Sequence, residues 1–352
     1  MQRESNWDFV KLVLMFFIVF GHLCPANPEE WTPVTRVIGL FAIPLFFFIS
    51  GFFQSKVDSH KTLYDRYKKN TFRIVIPMLS WGIIYVFFSS IKHFIGISYN
   101  MADVWSFYKY TPFYIMGFYW FLTALFFCQI IGSVLSLIIN SYIKIGVMLL
   151  FASFPFFCLL PPNLIEHYHF SFIWFFYGVG MLYRQLGKDW LSHEYGVKIQ
   201  LCISVITIVL LLGIGIRFMP SDTFYYKSNL VVNTLSSFVI RRYSLYFIVS
   251  LLMLYWMHQC YRRFKDKVII QTLASWGLDT LFIYCSHMLF LEFIYKPCLL
   301  PILFHEDGAI IERLMEHMIG LVLSLVLYVL LQCVCIYSKR FKWIRLLLMG
   351  IK

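Results

Sequence analysis

The chain has 352 residues, of which 60% are hydrophobic, 20% aromatic and only 14% charged. A soluble domain carries about a quarter charged residues, so this balance, with a mean hydropathy of +0.72, excludes a water-soluble globular protein. The formal charge of +12 follows from basic loops anchoring the chain at one membrane face, so no nucleic-acid partner is expected.

The apolar runs are continuous, which sets aside a transmembrane barrel with its short alternating segments. The expected fold is an all-α polytopic membrane protein of about ten transmembrane helices. Their approximate extents are 8–25, 34–55, 73–95, 115–139, 143–160, 168–186, 199–217, 235–259, 272–295 and 314–337. One membrane-embedded domain then fills residues 1–352. The first span is read as retained, because no small-x-small cleavage site follows its apolar core.

Lysine and arginine cluster in segment 56–73, in segment 260–267 and in the tail 339–352, with smaller groups after the fourth and sixth spans. With ten spans these all fall on one side, so both termini are expected in the cytoplasm. Segment 56–72 is too polar to span and reads as a basic surface helix or loop. The opposite connection 96–116 is rich in Tyr, Phe and Trp, as in an interfacial aromatic belt or a platform for sugar rings. Most of the nine cysteines fall in or beside apolar spans, where Cys acts as a small buried hydrophobe. No metal site is expected.

The first span, WDFVKLVLMFFIVFGH from Trp7, carries the main candidate residues. At about 100° and 1.5 Å per residue, Lys11 and His22 lie within about 20° of one another and about 16 Å apart along the axis. Asp8 shares the stripe. Ionisable groups in a spanning helix are costly and face a protein interior or a wet cavity. An imidazole titrates near neutrality, which suits a general base; Lys11 suits a phosphate-bearing ligand, or simply snorkels to the interface, and Asp8 three residues earlier either serves the site or merely pairs with Lys11.

Four further groups stand out. FFFISGFF (46–53) places Ser50 as a hydrogen-bond donor and Gly51 as a point of close helix approach. Arg73 opens the third span beside the same leaflet as Lys11, and the two cations make a seat for phosphates, although anchoring accounts for Arg73 equally well. On the ninth span, Asp279 and His287 line the His22 cavity or satisfy neighbours. Arg241 and Arg242, on the outer part of the eighth span, lie on the wrong side for anchoring, which suits an acidic acceptor or an internal ion pair.

The run from Trp7 to His22 resembles the opening of the integral-membrane acyltransferase-3 family, with an Asp, then a basic residue, ten residues and a His. IPLFFFISGFF (43–53) resembles its second-helix motif, and FRIVIP (72–77), with Trp81 following, its third-helix start. YWFLTALF (119–126), which contains Trp120, resembles its Trp-Phe-Leu motif. FFYGVGMLY (175–183) resembles its glycine-bearing sixth helix, and LFIYCSHMLF (281–290) its late Tyr-x-x-His pattern. The resemblance covers about residues 6–340, and its specificity lies in the order and spacing of these motifs.

The resemblance implies a membrane-bound O-acyltransferase of the plasma (inner) membrane. It would move acetyl from cytoplasmic acetyl-CoA to a hydroxyl of a surface or exported glycan, or of a lipid-linked sugar. His22 is the implied base or transient acyl acceptor, and Asp8, which opens the same motif, is grouped with it as catalytic. Lys11, Arg73 and Ser50 fall to the donor. Members often carry Arg-x-x-Arg here; Asn70 stands at its first position, and Lys69 or Arg66 is the substitute. Trp120, Asp279, His287, Arg241 and Arg242 are expected on the acceptor side. Self-association is compatible with this reading. The rival class is a transporter or flippase of a lipid-linked or acylated metabolite, which intramembrane ions suit as well.

Overall fold

The computed structural model describes residues 5–23, 33–54, 59–94, 115, 118–138, 143, 147, 170–186, 195–217, 237–300 and 310–351. Among them all regular structure is helical. The predicted fifth span and the aromatic connection 96–116 lie almost wholly outside the described residues.

Helices α1 (Ser5–Leu23) and α2 (Pro33–Phe52) form the centre. Helix α3 (His60–Asn70) starts at Ser59 with a capping box to Thr62. It continues through a π-helical turn, Thr71–Val75, into α4 (Ile76–Phe94). Then come α5 (Trp120–Leu135), α6 (Phe170–Leu186), α7 (Val197–Arg217) and α8 (Ser237–Phe264). Helix α9 (Val268–Trp276) is followed by α10 (Thr280–Phe290), which runs on as a π-helical stretch, Leu291–Leu299. The last two are α11 (Ile310–Ser338) and α12 (Lys342–Met349).

Three described helices are long and apolar enough to cross a membrane, four when the bent α9–α10 pair counts as one span. Helix α7 turns Leu201, Val205, Ile208 and Leu212 outward, one stripe at helical spacing. In a bilayer such a stripe faces lipid tails.

Helix α1 packs against α2, α8, α9, α10 and α11. Helix α2 makes its most extensive contact with α6, and glycines set the separation. A Cβ on Gly51 would sit 1.9 Å from the Tyr177 carbonyl oxygen, and one on Gly180 would sit 2.0 Å from that of Phe48. The two backbones touch where neither helix carries a side chain, a common solution when lipid supplies no hydrophobic drive between helices.

Three elements differ from expectation. Part of the polar segment 56–72 is α3, which forms one continuous 31-residue helix with the third span over Lys61–Ile91; it breaks only into the wider π turn at Arg73. The ninth span is not one rod, since α9 and α10 meet at 71°. The break holds Gly277, whose Cβ position is filled by the Asp8 carbonyl oxygen at 1.8 Å, so α1 occupies the corner. The basic tail is also not merely an anchor. Helix α12 packs on α4, with the Trp81 indole donating to the Leu348 carbonyl at 3.0 Å. Gly350 ends it at φ 64°, against the Arg73 backbone, a left-handed cap that favours glycine.

Candidate active site

A cavity of about 610 Å³ opens where the basic ends of these helices converge. Its wall on α1 is Lys11, Met15 and Ile18. Those positions follow the i, i+4, i+7 pattern of one helix face, and His22 is the next on that face, one turn beyond. On α10 the wall ends at Leu281 and Tyr284. His287 follows there, with its ring 5.7 Å from that of Tyr284 and 5.5 Å from that of His22.

The two imidazoles differ. His287 is fully buried, and its Nδ1 lies 3.0 Å from the Ile283 carbonyl oxygen. A carbonyl only accepts, so Nδ1 carries the hydrogen, and in the neutral ring Nε2 is left as an acceptor. That nitrogen is buried without a hydrogen-bond partner. His22 is exposed at the end of α1. The Tyr295 hydroxyl donates to the Leu23 carbonyl beside it, tying this end of the helix to the π-helical stretch.

The opposite end of the cavity is cationic. Lys11, Arg66, Lys69, Arg73 and Lys339 line it, against one carboxylate, Asp279. Lys11 is held by Asp8 at 3.0 Å and lies over the Phe53 ring. The side chain of Asp8 is almost fully buried, so its ammonium partner is positioned from below and faces the cavity.

The structure therefore brings Lys11, Ser50, Lys69, Arg73 and Asp279 to one cavity, and His22 and His287 to one another. It does not bring Asp8 to His22. Fourteen residues of one helix, about 21 Å of rise, separate them, and the carboxylate of Asp8 is engaged by Lys11. Asp8, expected among the catalytic residues, stands instead as the partner of Lys11, the pairing its place three residues earlier also allowed. The Ser50 hydroxyl donates to the Phe46 carbonyl at 2.8 Å, which leaves its oxygen as an acceptor toward the cavity. Trp120 is half-buried at the start of α5, and its neighbours Phe121 and Leu122, not Trp120, line the wall. The backbone of Arg241 and Arg242 lies in α8, but their side chains lie outside the described residues.

Sequence reading missed Gln54 and Lys339. Gln54 accepts from the Tyr177 hydroxyl at 2.9 Å and donates to Ser133 at 2.8 Å, while Arg184 donates to the Phe52 carbonyl at 3.0 Å. This network pins the end of α2 at the cavity. Lys339 looked like one more anchoring charge. The stripe Tyr328, Gln332, Cys335 and Lys339 at helical spacing was the signal that it turns inward.

Apolar helices surround a cavity lined by five cations, and two imidazoles stand together one turn beyond its lining, an arrangement that suits a membrane enzyme. Residues 4–342 match the acyltransferase domain family. The chain belongs to that family and is an acyltransferase. It is similar to the nodulation protein NolL of Mesorhizobium japonicum, 22% identical over 80% of this chain and 75% of that protein. It is also similar to NolL of Sinorhizobium fredii, 28% identical over 35% of this chain and 34% of the other. No solved structure matches it significantly.

Proposed function

We propose that the chain transfers an acyl group, acetyl in the simplest case, from a coenzyme A thioester to a sugar hydroxyl of an exported or surface glycan. One observation carries this reading: the face of α1 that lines the cavity at Lys11, Met15 and Ile18 continues one helical turn beyond the lining to His22. A donor with phosphates at one end and a reactive carbonyl on a long, slender arm has that shape. A compact nucleotide would fill the cationic end without reaching the histidines. Basic residues favour the cytoplasm, so the donor enters from there.

In the proposed reaction His22 removes the proton from the acceptor hydroxyl. The oxygen attacks the thioester carbonyl, the C–S bond breaks, and the thiolate leaves with the proton returned by the imidazolium. His287 offers an unprotonated Nε2 that steadies the protonated His22 ring. Lys11 and Arg73 bind phosphate and touch no reacting atom, so their loss raises donor KM and spares kcat.

The test uses the full-length protein in detergent or nanodiscs with labelled acetyl-CoA and an oligosaccharide acceptor. Label should move to the acceptor. K11Q and R73Q should each raise donor KM about 10-fold, the size of one charge-assisted hydrogen bond. Rising salt should raise the wild-type KM as well, because ions screen partly exposed charges. Substrate flux across vesicles that needs no CoA thioester would instead make the chain a transporter.

A further inference from the structure

Two lysines at the cavity are built alike. Lys11 rests on the buried carboxylate of Asp8, and Lys339 rests on that of Asp279. The two carboxylates flank one structural feature, the break between α9 and α10. Asp8 fills the corner at Gly277 with its backbone carbonyl, and Asp279 is the residue that precedes α10.

We propose that Lys339 is a donor-binding cation, with Asp279 its positioning residue. The inference rests on the CoA-thioester reading above. Asp279 stands at the N-cap of α10 yet makes no side-chain cap there. Its carboxylate turns to α11 instead. There Lys339 Nζ lies 2.6 Å from Oδ1 and 2.7 Å from Oδ2, and the Gln332 amide donates to Oδ2 at 2.6 Å. Asp279 is 4% exposed and Gln332 1%. The Lys339 side chain is a third exposed and lines the cavity together with Leu278, Asp279 and Thr280.

Stability alone does not call for this arrangement. A buried ion pair is often matched by apolar residues of similar size, because desolvation offsets the attraction. What the pair does provide is location. A lysine chelated by both oxygens of a buried carboxylate keeps its charge at one fixed point of the cavity wall, while the third ammonium hydrogen remains to meet an anion. The same logic holds Lys11 on the neighbouring wall. The two lysines line the same cavity as residues 277–281, the break and the first turn of α10. Phosphates seated there meet two ammoniums held by buried carboxylates.

The test titrates the full-length protein in nanodiscs with coenzyme A, dephospho-coenzyme A and inorganic pyrophosphate, and measures donor KM and kcat in parallel. K339Q should weaken CoA binding and raise donor KM by about 10–100-fold with little change in kcat. K339R should recover much of that loss, and D279N should raise KM in the same direction. D279N combined with K339Q should cost no more than K339Q alone, because Asp279 acts only through Lys339. A difference between CoA and dephospho-CoA that vanishes in K339Q places Lys339 at the 3′-phosphate, and one that persists places it at the pyrophosphate; both support the proposal. K339Q that melts earlier but binds CoA and pyrophosphate as tightly as wild type overturns it, leaving a structural ion pair. Wild-type protein that binds pyrophosphate but not CoA overturns the donor reading and keeps Lys339 as an anion site. Wild-type protein that binds neither overturns both.

Discussion

Replacing His22 with Ala is expected to lower acyl transfer by about 10²–10⁴-fold, the usual contribution of a positioned general base. Donor KM should change little. The reason lies along α1: the cationic Lys11 is about 16 Å away from the imidazole, so on the proposed mechanism the mutation removes the base without disturbing the cations. His22 is also exposed at a helix end, so truncating it leaves no packed void, and the melting temperature should stay close to wild type. H287Q should be milder. Glutamine can still donate to the Ile283 carbonyl, but its oxygen is a weaker partner for a protonated His22 than an imidazole nitrogen. Initial rates with labelled acetyl-CoA, measured beside a thermal melt, separate these cases. Undiminished transfer by H22A would remove His22 from the mechanism and leave His287 as the base to examine.

The second large effect concerns folding. Gly51→Val and Gly180→Val should each cost well beyond the ~1–3 kcal/mol typical of overpacked sites, enough to empty the membrane of folded protein. A Cβ at either position would lie about 2 Å from a carbonyl oxygen of the facing helix, and backbone cannot swing aside as a flexible side chain can. The helices would have to separate along their most extensive contact. The Gln54 network at the end of α2 would go with it, since Tyr177 supplies both the carbonyl that meets Gly51 and the hydroxyl that meets Gln54. Gly213, whose Cβ position is open, is the control: G213A should express and melt like wild type. Expression level and detergent melting temperature read both. Wild-type behaviour of G51V would mean that α2 and α6 are farther apart than described.

Part of the candidate site was legible because Lys11 and His22 share one helix. The spacing of Lys11 and His22 on α1 follows from helical geometry alone, as does the inward face that joins them. Arg73, Ser50 and Lys69 were reachable from their place at the basic end of the bundle. Lys339 was not, because a lysine after an apolar span reads the same whether it anchors the chain or turns into a cavity. The Asp8–Lys11 pair was legible too, because the two lie three residues apart on one helix face.

The sequence by itself determined the helical class, the affinity for a membrane and the polar line along α1, because composition and a 3.6-residue period are local properties. Only the tertiary structure decided what faces that line. The bend of the ninth span depends on Asp8 filling the corner at Gly277. The meeting of His22 with His287, and of Asp279 with Lys339, joins residues far apart in the chain. Such contacts depend on how helices cross, which no local pattern specifies.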